Sequence, residues 1–181
     1  SCFIPETRVQ VYFLENNLLY KSLPDLIYKA RNGRIFSDLD ERFAFFSLSA
    51  IDTLTSLFWA PDVFICNDWQ ASFVPILLNA KFKQEDFYAK MKTVYILHSI
   101  NDYSYVSKDT YDKLGLAPNT SEKFINNHIS AIESSDLTIV MNYESTNLLE
   151  SLKKDETLYK TIKSNQFLII DMPKKSNREA W

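Results

Sequence analysis

Residues 61–82, PDVFICNDWQASFVPILLNAKF, constrain the fold more than any other stretch of this chain. A short apolar run over 63–66 stops at Asn67, Asp68 and Trp69. A helical pattern follows, with Trp69, Phe73, Ile76, Leu77 and Ala80 recurring at three- and four-residue spacings. The pattern predicts a buried strand that hands over to a helix over 68–82 through a polar turn. In open parallel α/β sheets, ligands bind beyond the carboxyl ends of the strands. Asn67 and Asp68 are therefore expected on the rim of a binding crevice. Asp68 suits a second role equally well, as the cap of the helix that follows.

The same alternation runs along most of the chain. Strands are predicted over 9–14, 63–66, 93–97, 137–141 and 167–170. Helices are predicted over 38–58, 108–114, 121–133, 143–152 and 156–163, with Gly115 stopping the third of the chain's six. Residues 16–32 read as irregular, 83–90 as polar and exposed, and the tail after Pro173 as polar and frayed. Repeated strand–helix–strand order argues for a parallel sheet with right-handed crossovers. The short, β-branched strands fit burial on both faces. The expected architecture is α/β and Rossmann-like, a parallel sheet with helices on both faces.

Composition narrows the function classes. A chain of 181 residues with 46% hydrophobic content suits one domain, 1–181, with a sizeable core. The net charge is -3, with both signs interspersed, so no basic face for nucleic acid is expected. No apolar run reaches the roughly 18 residues of a membrane span. No charged and then apolar leader is visible, and a cytoplasmic setting is expected. Cys2, Cys66, His98 and His128 lack metal-ligand spacing, so no metal is expected. The only glycines are Gly33 and Gly115. A glycine-rich diphosphate loop needs close backbone approach, which this sequence does not provide. No cofactor is expected.

Four stretches in order resemble the N-terminal catalytic domain of bacterial glycogen and starch synthases, retaining glycosyltransferases of family 5. They are residues 11–17 (VYFLENN), residues 40–47 (DERFAFFS), the Pro61-Asp62 strand with its Asn67-Asp68-Trp69-Gln70 turn and Val74-Pro75, and residues 92–98 (KTVYILH). The resemblance spans about residues 9–141. It implies one Rossmann-like half of a GT-B fold. It also implies glucose transfer from ADP-glucose or UDP-glucose to an α-1,4-glucan, with retention of configuration.

By that resemblance His98 is the catalytic-site histidine, contacting a hydroxyl of the transferred sugar. Read from its position alone, a histidine at a strand end suits either this role or structural hydrogen bonding. Asp68 would line the acceptor side, its carboxylate hydrogen-bonding sugar hydroxyls, with Asn67 beside it as a substrate-binding residue. Trp69 suits stacking on a sugar face or packing its helix against the sheet. Glu15, Asn16 and Asn17 follow a predicted strand and suit either the acceptor side of the crevice or an ordinary polar loop. His128 reads as solvated or structural.

The sequence departs from the family in places. Gln70 stands where many members have His, and residues 99–103 (SINDY) replace the common loop after the histidine. The family's opening strand and its Lys-x-Gly-Gly-Leu loop have no counterpart here. The resemblance therefore implies partners: a nucleotide-sugar donor, an α-glucan acceptor, and a second domain or chain that completes the site. The competing expectation is a non-catalytic module that binds glucan or docks a partner enzyme.

Overall fold

A computed structural model of the chain describes residues 1–20, 28–118 and 120–173. Part of the irregular stretch expected over 16–32, and the tail after Pro173, lie outside them. In chain order the elements are β1 (Cys2–Phe3), β2 (Gln10–Val11), α1 (Leu39–Ser56), β3 (Val63–Asn67), α2 (Phe73–Leu77) and β4 (Lys92–Leu97). Then come β5 (Tyr105–Ser107), α3 (Lys108–Lys113), β6 (Phe124–Asn126), α4 (Asn127–Ser134), β7 (Leu137–Tyr143), α5 (Leu148–Lys154), α6 (Glu156–Ser164) and β8 (Phe167–Met172).

Four of these strands form the parallel sheet, in the order β3-β4-β7-β8. The architecture is α/β, a parallel sheet flanked by helices, as the alternation predicted. Side chains on neighbouring strands in register share a face. One face carries Cys66, Tyr95, Leu97, Thr138 and Val140, all buried. That face packs with α1, α2, α4, α5 and α6 into one core cluster. The other face carries Ile65, Val94, Ile96, Ile139 and Leu168. Of these Ile65 is 55% and Leu168 54% exposed, so helix cover falls mainly on one side.

The helices follow from their local sequences. In α1, Asp40 and Glu41 in the first turn suit the positive end of the helix dipole. Its buried line is Ala44, Ser47, Ile51 and Leu54. The larger apolar side chains do not all turn inward: Phe46 is half-exposed, and Phe58, past the helix end, points almost wholly into solvent. The small side chains of Ala44 and Ser47 face inward instead. Helix α2 is buried at every position, as befits a helix with α1, α4 and β4 around it.

Several boundaries moved. The helix predicted over 68–82 is three pieces: a 3-10 turn at Trp69–Ala71, α2, and a π turn at Leu78–Phe82. Pro75 has no N–H to close an α-helical bond at its start. The helix predicted over 121–133 begins six residues later. Phe124–Asn126 pairs antiparallel with β5 instead, and the Asn126 side chain caps α4 by accepting from His128 N–H. The strand predicted over 9–14 shrinks to Gln10–Val11, which among the described residues pairs with β1 alone and stands outside the parallel sheet. Strand β7 runs on to Tyr143, and α5 starts at Leu148 rather than 143. Tyr88, in the segment expected to be exposed, is buried.

Candidate active site

The carboxyl ends of β3, β4 and β7 converge on one imidazole. His98 follows β4 directly. Its Nε2 lies 3.1 Å from Asn67 Oδ1 at the end of β3, on the solvent side. Its Nδ1 lies 3.0 Å from the Tyr143 hydroxyl at the end of β7, on the more buried side. The His98 and Tyr143 ring planes are within 21° of each other, with centroids 6.0 Å apart. Three strand ends thus meet at the imidazole that the sequence placed at the end of a strand.

Asp68 governs the loop that carries His98. Its carboxylate accepts from the Ser99 hydroxyl at 2.6 Å and from the N–H groups of His98 and Ser99 at 3.3 and 3.4 Å. It makes no side-chain cap to the following helical turn, so the capping role is absent. Its own N–H bonds Ile96 O at 2.8 Å, tying the turn to β4. The backbone at Asp68 has φ 56° and ψ -170°, a region that side-chain-bearing residues rarely occupy. Ser99 in turn accepts from Asn101 Nδ2, whose Oδ1 caps the turn at Tyr103. The chain from Asp68 to Tyr103 is one continuous set of hydrogen bonds.

Trp69 serves packing. It is 5% exposed and sits among Phe43, Tyr28 and Tyr103, with Tyr103 stacked on one face at 5.3 Å. No open indole face remains for a sugar. Gln70 bonds the Tyr28 hydroxyl. Glu15, Asn16 and Asn17 are not brought to His98 by any hydrogen bond among the described residues. Asn16 folds back to cap its own turn, accepting from the N–H groups of Leu18 and Leu19. Tyr20 and Arg42 then anchor that turn to the start of α1.

Beneath the crevice lies a buried polar layer. His128 is fully buried, not solvated, and its Nδ1 meets the Tyr95 hydroxyl at 2.7 Å. Burial pulls the His128 pKa down to about 4 and pushes the Tyr95 hydroxyl well above its ordinary range. Next to it Asn127 joins Tyr111 on α3 to Ser72 at the mouth of α2. These groups brace the turn after Asp68 and do not open to the crevice. Cys66 is likewise a core thiol, its pKa raised by burial to about 12. Among the described residues, no three His, Cys, Asp or Glu side chains gather as a metal would require.

Tyr143 and Ser99 are the site residues that sequence reasoning missed. Tyr143 had no periodic signal: burial alternates only over the first four residues of β7, and the pairing with β8 is what carries the strand on to Tyr143. Ser99 had no signal, because only the fold shows that it faces Asp68.

The sequence profile for the starch synthase catalytic domain matches residues 2–151. A glycogen synthase of Pelodictyon phaeoclathratiforme is 28% identical over 139 residues, covering 74% of this chain and 28% of that relative. One from Clostridium beijerinckii is 42% identical over 101 residues, covering 55% and 19%. The chain thus spans roughly a quarter of the length of the curated relatives it matches. The catalytic domain of starch synthase IV from Arabidopsis thaliana, solved bound to ADP and acarbose, aligns with a TM-score of 0.63 at 21% identity. That alignment covers 75% of this chain and 30% of the plant domain, and it supports the same fold. The chain belongs to the starch synthase catalytic domain family, the glycogen and starch synthases with a GT-B fold.

Proposed function

We propose that this chain supplies the histidine-bearing half of a glucosyltransferase that extends α-1,4-glucan from ADP-glucose or UDP-glucose, with retention. The observation that carries the reading is His98, held at the carboxyl end of β4 between Asn67 and Tyr143 and on a loop fixed by Asp68. The Nε2 side of the ring faces the crevice, where it can hydrogen-bond a sugar hydroxyl. Asn67 lies beside it and would share that hydroxyl. Asp68 contributes through the loop backbone, and Trp69 through packing. Residues 15–17 are retained as acceptor-side candidates by family resemblance alone.

Sugar transfer from a nucleoside diphosphate needs stabilisation of the departing diphosphate and of positive charge on the sugar. Hydrogen bonds from groups such as His98 orient the sugar; in this reading the diphosphate falls to a second domain or chain. The relatives' greater length and the ADP in the plant structure support that division of labour. A reducing, cytoplasmic setting suits the two free cysteines, Cys2 and Cys66.

The test is glucosyl transfer from labelled ADP-glucose or UDP-glucose to glycogen. It is run with the chain alone and with the carboxyl-terminal half of the Clostridium beijerinckii enzyme added. Transfer that His98→Ala abolishes supports the reading, and the donor that works identifies the nucleotide. Transfer unaffected by His98→Ala would remove the site assignment. Glycogen binding without transfer in either mixture would favour the non-catalytic module.

A further inference from the structure

We infer that Tyr143 is the positioning residue that orients the His98 ring, holding toward the crevice the Nε2–H that the Asn67 carbonyl selects. The inference rests on the reading of His98 as the sugar-contacting histidine. In a neutral imidazole one ring nitrogen donates and the other accepts, and the partner of one nitrogen decides the role of the other. Asn67 presents its carbonyl oxygen to Nε2 at 3.1 Å, an arrangement that needs a proton on Nε2. Nδ1 is then bare, and the Tyr143 hydroxyl, 3.0 Å away on the buried side, donates to it.

The geometry separates the two partners by function. The Asn67 contact is solvent-exposed, so a ligand hydroxyl can replace or share it. The Tyr143 contact is partly buried, and its nearly parallel ring limits rotation of the imidazole. Tyr143 is itself fixed by the sheet: it pairs with Met172 of β8 in register and closes the turn to Thr146 and Asn147 through its carbonyl. The hydroxyl therefore comes from a rigid strand end, as a positioning group should. Without that hydroxyl Nδ1 loses its donor, the ring is freer to turn away from the Asn67 carbonyl, and the bias toward the Nε2–H form weakens.

The test is the histidine side-chain tautomer measured by long-range proton–nitrogen NMR on the labelled chain. His98 and His128 are the only histidines, and a His98→Asn sample assigns the signals. In the wild type, His98 is expected as the Nε2–H form. Tyr143→Phe keeps the ring but removes the donor, and the bias is expected to fall by about tenfold. The buried His128 signals report in the same spectrum whether the fold is intact. A wild-type Nδ1–H form would overturn the inference, as would an unchanged tautomer in a folded Tyr143→Phe chain. If Tyr143→Phe does not fold, Asn67→Ala decides: the Nε2–H bias falls, but the His98 and Tyr143 rings must stay in contact by proton–proton NOE, and loss of that contact overturns the inference. None of these readouts needs glucosyl transfer, so they stand or fall apart from the proposed activity.

Discussion

At the amino-terminal end of the sheet, Asp136 accepts from the backbone N–H and hydroxyl of Thr93 and pairs with Lys92 at 2.9 Å and Lys83 at 3.5 Å. At the carboxyl-terminal end, Asp68 also fastens one strand to its neighbour, through His98 and Ser99. Asp136 has cations around it. Among the described residues, Asp68 is met only by neutral donors, and its backbone sits in a strained conformation. One aspartate is a relaxed staple; the other holds strain next to the crevice. Strain of this kind costs on the order of 1–3 kcal/mol and persists where the surrounding bonds enforce it. The contrast teaches that the same residue type, doing the same cross-strand job, sets the proposed site apart from the far end of the sheet by what it lacks.

The largest way to sharpen that contrast is at the crevice. In the reconstituted enzyme, His98→Ala is expected to lower glucosyl transfer by about 10²–10³-fold. Its thermal midpoint should remain near the wild-type value, because the ring is partly exposed. Loss of folding together with activity would make His98 a structural residue like those at the other end.

Acid offers the next largest effect. His128 has a folded pKa near 4, below the unfolded value of about 6.5. In that window the unfolded chain binds the extra proton, so stability falls as pH drops from about 6.5 to about 4. The expected loss is on the order of 2–3 kcal/mol in denaturant midpoints, and it should flatten in His128→Gln. Asp136 behaves differently. Partial burial pushes its pKa up, but the Lys92 and Thr93 hydrogen bonds and the charges of Lys83 and Lys92 outweigh this, bringing it to about 2. Its depressed pKa contributes stability above about pH 4 that disappears as pH falls toward 2. The helix layer under the crevice should therefore weaken before the charged staple releases. The reverse order would break the comparison.

A smaller effect tests strain directly. Asp68→Gly and Asp68→Ala lose the same carboxylate, but only glycine accepts φ 56° without cost. The glycine variant is expected to be more stable than the alanine variant by about 1–2 kcal/mol in chemical denaturation. Equal stability would mean the turn relaxes, and Asp68 stores nothing. The smallest change is at the other end. Asp136→Asn keeps an acceptor for Thr93 and loses the ion pairs, so about 1 kcal/mol is expected, shrinking in high salt.

Much of the sheet was legible because its strands are short β-branched runs bounded by Pro61, Lys92 and Asp136. The turn at Asn67 and Asp68 was legible because a polar pair interrupts two apolar patterns. The strand over 9–14 misled for a physical reason: alternation says that one side of a strand is covered, not which partner covers it. Residues 124–126 misled because Phe124 and Ile125 fit a helix face as well as a strand. Tyr143 could not be joined to His98 from sequence, since 45 residues separate them and only the β4–β7 register brings them together. Backbone strain at Asp68 has no signature in residue type at all.

The unevenly covered sheet has a practical consequence for anyone handling this chain. Its outer strands, β3 and β8, present Val63, Ile65, Leu168, Ile169 and Ile170 to water, and among the described residues no further strand pairs with their outer edges. Such surfaces bind hydrophobic dyes and invite edge-to-edge pairing. Purified by itself, the chain should light up such a dye while folded and lose monomer as its concentration rises. Dye fluorescence that drops on mixing with a candidate completing half would then serve as a rapid assay for the fit.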